Sequence, residues 1–414
     1  MASITAAATG ATRERPLEDW LADAKRAEAY LPGLDGEDDP AIQAILSAGG
    51  IWHPISSKPY NIKRTLAITQ PNSGFIGDGT ATLLMATAAG AFDNASSSAA
   101  YRYAPNACGV LAQGVANPHI RGIKIKYANQ IDDRYVKAVA LRGCSEIDVR
   151  DIEASNFTKA GGVVYFGNCQ GGRLQDVFVH DCHTNSSTYG QISGIDADND
   201  DIGSNNIDLF DCRVERLTVG EQFRLLFGYQ TDGYNFCRST TSNIRFHRCK
   251  ARNVGEGIDL FGYKCKLVGF DAADCYYFGA KMGHGASKNK LINSDLVRCG
   301  IAGVDLFGSD SALTDTADNL IENNLIADID PDGVFASAYT SCVRLNPNGG
   351  TLYLPRRNII ARNHLICGNA KVGVLGWVGA GSDNEVVRNR VSGAQDGDYL
   401  FAPGVVSKLV PYYE

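Results

Sequence analysis

The chain has 414 residues, 46 acidic and 39 Lys or Arg, for a formal net charge of −7. It holds no basic stretch long enough to bind nucleic acid and no apolar run long enough to span a membrane. This is long for one compact core but ordinary for a solenoid, which grows by adding coils.

The N-terminal region stands apart from the rest. Residues 1–12 are rich in Ala and Thr and read as loose chain. They carry neither a basic start nor a continuous apolar core, so no secretory signal is expected. With 12 cysteines in the chain, that points to synthesis in a reducing compartment. Residues 16–30 predict a short helix with Leu17, Trp20, Leu21, Ala24 and Ala27 on one face. Residues 38–46 predict a better one, with Asp39 as N-cap and Pro40 at the first helical position. A helix there would cover the open apolar end of a solenoid. The expected divisions are a lead-in over 1–34, an N-terminal cap with the first strands over 35–80, the solenoid over 81–403 and a tail over 404–414.

Nine segments then repeat one pattern of Gly, apolar, variable, apolar or small. They start at Gly162, Gly194, Gly233, Gly257, Gly279, Gly303, Gly333, Gly373 and Gly397. A recurring spacing in the low twenties, with longer insertions, is what a coil of short strands produces. Alternation within each segment marks strands with one buried face. A second strand family precedes each glycine segment, as in Asn206-Ile207-Asp208-Leu209-Phe210 and Asn243-Ile244-Arg245-Phe246-His247. No long amphipathic helices separate the strands, which excludes a doubly wound sheet. The spacing is too short for propeller blades. The expected fold is all-β, a right-handed parallel β-helix with a short N-terminal capping helix. Cys182, Cys212, Cys249, Cys275 and Cys299 recur near the end of the second strand family. They read as free thiols stacked at one position inside the coil.

Stacking in register would form an outward row from the variable positions: Val164, Asp196, Asn235, Asp259, Lys281, Asp305, Phe335 and Leu375, about 4.8 Å apart per coil. The position before each glycine adds Asp232, Glu256 and Asp332. Pitch and rise then place carboxyl pairs roughly 5 to 10 Å apart, the span over which two carboxylates cleave a glycosidic bond. Crowded like charges would raise one pKa and let it hold a proton. Asp232, Glu256 and Asp259 are the expected catalytic residues. Asp196, Asp198, Asn235, Tyr263, Lys281, His284 and Asp305 are expected to bind or orient sugar, with apolar neighbours Phe261, Phe307 and Trp377. A Lys or His base with a Tyr acid, from Lys281, His284, Tyr263, Tyr276 and Tyr277, would suit β-elimination instead. No metal or other cofactor is expected. Asp196 to Asp201 lacks the glycine and glutamate of a calcium loop, and alternation divides His180, Cys182 and His183 between two faces.

Asp35-Gly36-Glu37-Asp38-Asp39-Pro40-Ala41-Ile42-Gln43-Ala44 resembles the opening motif of the pectate-lyase-like superfamily. Ile51-Trp52-His53-Pro54 and Phe75-Ile76-Gly77-Asp78-Gly79 match its following strand and glycine segment. Residues 9–23 resemble the lead-in of bacteriophage tailspikes and tail fibres. This resemblance implies a homotrimeric spike on a virion tail that binds, and often cleaves, a bacterial surface polysaccharide. Gln230-Thr231-Asp232-Gly233 and Gly255-Glu256-Gly257 also resemble two blocks of polygalacturonase-type hydrolases, with Gly255 in place of one aspartate. Gly283-His284-Gly285 resembles a third block. A fourth is absent, Val304-Asp305-Leu306 standing in its place. The expectation is an endo-acting polysaccharide hydrolase. A lyase or C5-epimerase on the same fold, and a non-catalytic glycan adhesin, remain open.

Overall fold

The computed structural model describes residues 38–412, apart from 55–58, 86–106, 128–134, 188–190, 198–202, 238, 310–313, 336–338 and 348–351. The helix expected over 16–30, the lead-in motif and Asp198 lie outside the described residues.

The chain winds as a right-handed parallel β-helix. Each coil contributes to three parallel sheets, one more than the two strand families legible in the sequence. Sheet A contains the glycine segments Gly161–Gly167, Ile192–Asp196, Thr231–Phe236, Ala302–Phe307 and Val372–Gly376, with Ser341–Asn346 between the last two. Sheet B follows on each coil, through Asn205–Phe210, Arg245–His247, Lys266–Val268 and Lys290–Ile292. Sheet C includes Arg213–Val219, Asp295–Val297 and Leu325–Ile329. Lys250–Leu260 and Asp271–Met282 are long strands that bend from sheet C into sheet A. Val406–Val410 adds a last strand to sheet B, beside Asn384–Val387.

Single residues in the left-handed region turn the corner from sheet B to sheet C. Asp151, Asp176, Asp211, Arg248, Asn293, Asn323 and Arg362 all have φ between 50° and 55°. Asp and Asn adopt this conformation readily, whereas arginine pays more. Arg248 sits one coil above Asp211, and its guanidinium forks onto that carboxylate at 2.7 and 2.8 Å. At other corners Arg298 pairs likewise with Asp274 and Arg357 with Asp318.

The interior is one continuous apolar stack. The sheet A glycines face into it. A Cβ on Gly194 would fall 2.4 Å from Val214, one on Gly257 2.9 Å from Ala272, and one on Gly303 2.2 Å from Ile326. Glycine recurs there because sheet C packs directly against that stripe. Two buried asparagine ladders close the upper coils. In the first, the side-chain oxygens of Asn319, Asn358 and Asn384 accept from the backbone N–H of Asn289, Asn319 and Asn358 in turn, one coil to the next. Asn324, Asn363 and Asn389 form the second, with Ser294 below them.

Helix α1 (Asp39–Ser47) covers the N-terminal end, burying Ile42 and Leu46 against the first strands. It begins one residue earlier than expected. Asp38 is the N-cap, and its carboxylate accepts a hydrogen bond from Asn61 N instead of capping the helix.

All 12 cysteines are free thiols, and the five singled out are buried. They occupy two positions of the coil, not one. Cys212 and Cys249 stack where sheet B turns into sheet C. Cys182, Cys275 and Cys299 lie at the far end of sheet C, with Leu217 and Val254 between them in register.

Candidate functional site

Two outward rows run up sheet A, three residues apart on each strand. One holds Ser193, Asp232, Glu256, Phe278, Ala302 and Ser341 on successive coils. The other holds Tyr165, Asp196, Asn235, Asp259, Lys281, Asp305, Arg344 and Leu375. Positions three apart share a face because the glycine between them and the residue after it both turn inward. Tyr234, for example, packs its ring against Phe246 and Phe270 inside the coil.

The register departs from expectation in two places. Gly162 pairs with Ser193, so Tyr165 and not Val164 stands in line with Asp196. The Gly333 segment is a turn, so Asp332 and Phe335 leave the rows. The strand of that coil is Ser341–Asn346, and it brings in Arg344. The acidic row is therefore not a run of like charges. Asp259, Lys281, Asp305 and Arg344 alternate in sign.

Lys281 gathers the central acids. Its ammonium lies 3.1 Å from Glu256 Oε2 and 3.1 Å from Asp259 Oδ2. That holds the nearest oxygens of the two carboxyls no more than about 6 Å apart, which brings two carboxyls to one site as glycosidic cleavage requires. Asp232, beside Glu256 in register, accepts a hydrogen bond from Gln191 Nε2. Arg344 forks onto Asp305 at 2.7 and 2.9 Å, and Asn235 donates to Asp196 at 3.0 Å. Asp232, Glu256 and Asp259 are only 1%, 4% and 7% exposed. Oδ1 of Asp259 has no hydrogen-bond partner among the described residues.

Burial pushes the Glu256 carboxyl up to about 7, although Lys281 pulls the other way. Burial alone would lower the Lys281 ammonium, but Asp259, Glu256 and Asp232 outweigh it and hold it well above the ordinary lysine value. Burial also lowers His284. At neutral pH the arrangement holds a carboxyl that can carry a proton, an ionised lysine and an uncharged histidine.

Aromatic side chains wall both ends of this trough. Toward sheet B, Phe261 lies 4.4 Å from the His284 ring and 5.9 Å from Phe307, and Lys281 stands over Phe307 at 5.2 Å. Gly283 makes this possible, since a Cβ there would overlap the Phe307 ring. Toward sheet C, Tyr229 stacks on Tyr276 at 3.6 Å, and Phe335 meets Tyr276 edge-on at 5.3 Å. These rings line a cleft of about 490 Å³ with Asp274, Arg298, Asp330 and Asp332. Helix α2 (Glu221–Phe227) leads into it, with Asn185 Oδ1 accepting from Gln222 N at its start. Gly255 takes the place of the aspartate of the hydrolase motif for a steric reason. A Cβ there would sit 1.9 Å from the Tyr229 carbonyl oxygen.

Two expected sugar-binding residues lie apart from the acids. Tyr263 stands at the start of sheet B between Lys264 and Lys288, 4.9 and 5.4 Å from its ring. Trp377 lies two coils beyond Phe307, edge-on to Tyr339 at 5.3 Å. Sequence reasoning missed Arg344, Gln191 and Tyr229. Among the described residues no group of three His, Cys, Asp or Glu side chains is arranged to hold a metal ion, and no helix is long and apolar enough to cross a membrane.

No protein-family profile and no curated protein matches the sequence. Solved structures do match over most of the chain. The A-module of Azotobacter vinelandii mannuronan C-5 epimerase AlgE4 is similar at 13% identity and a TM-score of 0.55, covering 93% of this chain and 99% of that one. The tailspike protein of E. coli bacteriophage HK620, in complex with pentasaccharide, is similar at 14% identity and a TM-score of 0.52, covering 99% and 68%. A GH87 alpha-1,3-glucanase catalytic domain in complex with nigerose is similar at 9% identity and a TM-score of 0.56, covering 91% and 66%. All three are right-handed β-helix proteins that act on or bind polysaccharide. This chain is a right-handed β-helix protein of the same fold.

Proposed function

We propose that the chain is an endo-acting polysaccharide depolymerase whose chemistry lies in the sheet A trough. The observation that carries this is the convergence of Glu256 and Asp259 on the Lys281 ammonium, with Asp232 beside Glu256. Glu256, protonated up to about pH 7, donates its proton to the glycosidic oxygen as the bond breaks. Asp259 acts from Oδ1, which has no hydrogen-bond partner among the described residues, as base or nucleophile. Lys281 pairs with Asp259 and holds it in place, and Asp232 supports the positive charge that develops on the sugar ring. The two aromatic walls stack the sugars on either side. The polysaccharide is one of the bacterial surface and the assembly a virion-tail trimer, as the lead-in motif implies. The likeness to a phage tailspike supports this setting.

The test is a panel of capsular polysaccharides and exopolysaccharides, assayed for loss of viscosity and new reducing ends. Asp232→Asn, Glu256→Gln and Asp259→Asn should each lower turnover at least about a hundredfold. Full activity in all three would sink the proposal.

Elimination or C5-epimerisation of a uronic acid is the second reading, favoured by the charge states of Lys281 and His284. Lys281 is held protonated, so it cannot be the base, but it would neutralise the sugar carboxylate. Neutral His284, packed on the same Phe307 ring, would take the C5 proton; in elimination the C4–O bond then breaks as Glu256 protonates the leaving oxygen, and in epimerisation Glu256 would return a proton to C5 instead. An unsaturated, ultraviolet-absorbing product, or inverted C5 without chain shortening, would select this reading.

A further inference from the structure

Sheet B carries a second feature, on a different face from the acids. One outward row on successive coils reads His119, Asp148, Arg173, Asp208, Arg245, Lys266 and Lys290. Two residues further along each strand, Arg121 and Arg150 stand in register on neighbouring coils, followed by Gln175, Phe210 and His247. The two rows together hold six Arg or Lys and two Asp, on a chain whose net charge is −7. At about 4.8 Å per coil the strip is roughly 30 Å long.

Its lower half is a cleft of about 740 Å³. Asp148, 5% exposed, lies at its centre and serves Arg121, Arg150 and Arg173 at once, with His119 Nδ1 at 3.2 Å. Glu146 and Asp208 line the same cleft, so four guanidiniums, with Arg245, face three carboxylates there. Arg121 and Arg150 are like charges one coil apart, which costs stability unless something else neutralises them. Nε of Arg121 is buried with no partner among the described residues. Burial lowers His119, aided by Arg121 and Arg150, so the imidazole adds no charge at neutral pH. The upper half has Arg245 paired to Asp208, and Phe210 stacked on His247 at 4.7 Å.

We propose that this strip is a second, non-catalytic glycan site that anchors an anionic polysaccharide along the coil axis. This rests on the glycan-active reading of the protein. The cations are spaced by Asp148 and Asp208, so the strip suits a polymer with anionic groups at intervals, such as the carboxylates of uronic acids. It does not suit the unbroken phosphate array of a nucleic acid, which is met by a basic domain. Guanidinium forks match carboxylates bidentately. The aromatic pair Phe210 and His247 offers a face for a sugar ring.

Binding can be read without cleavage. Glu256→Gln protein is titrated by calorimetry with polygalacturonate, with alginate, with dextran and with single-stranded DNA. The expected result is binding to at least one acidic polysaccharide but not to dextran, weakening as salt screens the charges. Adding Arg150→Ala and Arg173→Ala should reduce that affinity at least about tenfold. Arg245→Gln with Lys266→Gln, away from buried Asp148, should weaken it too and guards against a folding defect in the first pair. Binding to neither acidic polymer, unchanged affinity in both double variants, or equal affinity for DNA would overturn the proposal. If cleavage by the sheet A acids is seen while these outcomes fail, only the strip is refuted. If the strip binds and nothing is cleaved, only the catalytic reading is.

Discussion

Asp259 and Lys281 face each other across one coil step, carboxylate and ammonium 3.1 Å apart, and the same ammonium reaches Glu256. Neither acid has another cation within hydrogen-bond reach among the described residues. Lys281→Met should therefore strand two buried carboxyls and cost about 3–5 kcal/mol at pH 8. The lysine's folded pKa is raised, so its stabilisation is fully present at both pH 5 and pH 8. What changes with pH is Glu256, whose carboxyl is kept protonated by burial at pH 5 and ionises by pH 8. Urea unfolding at pH 5 and pH 8 should show the larger loss at pH 8. Equal losses would mean that the lysine is not the shared counter-ion.

Glu256 gives a signature with the opposite slope. Its pKa is raised from 4.5 to about 7, so the folded state binds more protons than the unfolded state between those values. Stability from this group is full below about 4.5 and is lost as pH rises through about 7. Glu256→Gln has no such dependence. Its melting temperature relative to the parent should rise between pH 5 and pH 8. Turnover of the parent should fall over the same alkaline limb, as the acid form disappears. A parent activity that climbs steadily from pH 6 to pH 9 would remove Glu256 as the acid.

Gly283→Ala tests the aromatic wall. The added Cβ would overlap Phe307, whose ring can swing away more cheaply than backbone can move. The fold should survive with a melting temperature only a few degrees lower. kcat/KM on the cleaved polysaccharide should fall about tenfold, mostly through KM, because a sugar platform is displaced and the acids are not. A change confined to kcat would argue that Phe307 instead positions Lys281.

Asn358→Ala tests the ladders. The Asn358 Oδ1 accepts from both N and Nδ2 of Asn319, and its Nδ2 donates to Thr316 O and Asn384 Oδ1. Alanine would leave several of these buried groups unsatisfied, at about 1–3 kcal/mol each. Denaturant unfolding should show a loss of at least about 3 kcal/mol, with an unchanged spectrum in the folded state. A loss under 1 kcal/mol would mean that water replaces the amide readily.

The central coils were legible because their glycines are set by packing. A Cβ on Gly194, Gly233, Gly257, Gly279 or Gly303 would meet a sheet C side chain, so at these five pattern and register coincide. The reading slipped at Gly162 and Gly397, which pair one position away from the expected alignment. It failed at Gly333, a turn glycine with φ of 66° that mimics the strand pattern. Arg344 was lost with that coil, and with it the alternation of charge. The asparagine ladders pair residues on different coils, at sequence separations of 26 to 39. Each asparagine taken alone reads as a turn residue. Asp232, Glu256 and Asp259 were placed on one face by register alone. The shift in Glu256 depends on burial, which no spacing rule contains.

Corners made of single left-handed residues make the rungs interchangeable as units. Loops between sheets can lengthen without moving a corner, so what the trough admits can change while the acids keep their register. Losing a whole rung is different. Excising the coil that carries Lys281 would leave strand stacking possible throughout, with Asp259 set directly against Asp305 and Glu256 beside Ala302. The backbone would tolerate the deletion, but the proposed centre would lose the one ammonium that Glu256 and Asp259 share. The proposed chemistry belongs to the order of the rungs rather than to any one of them.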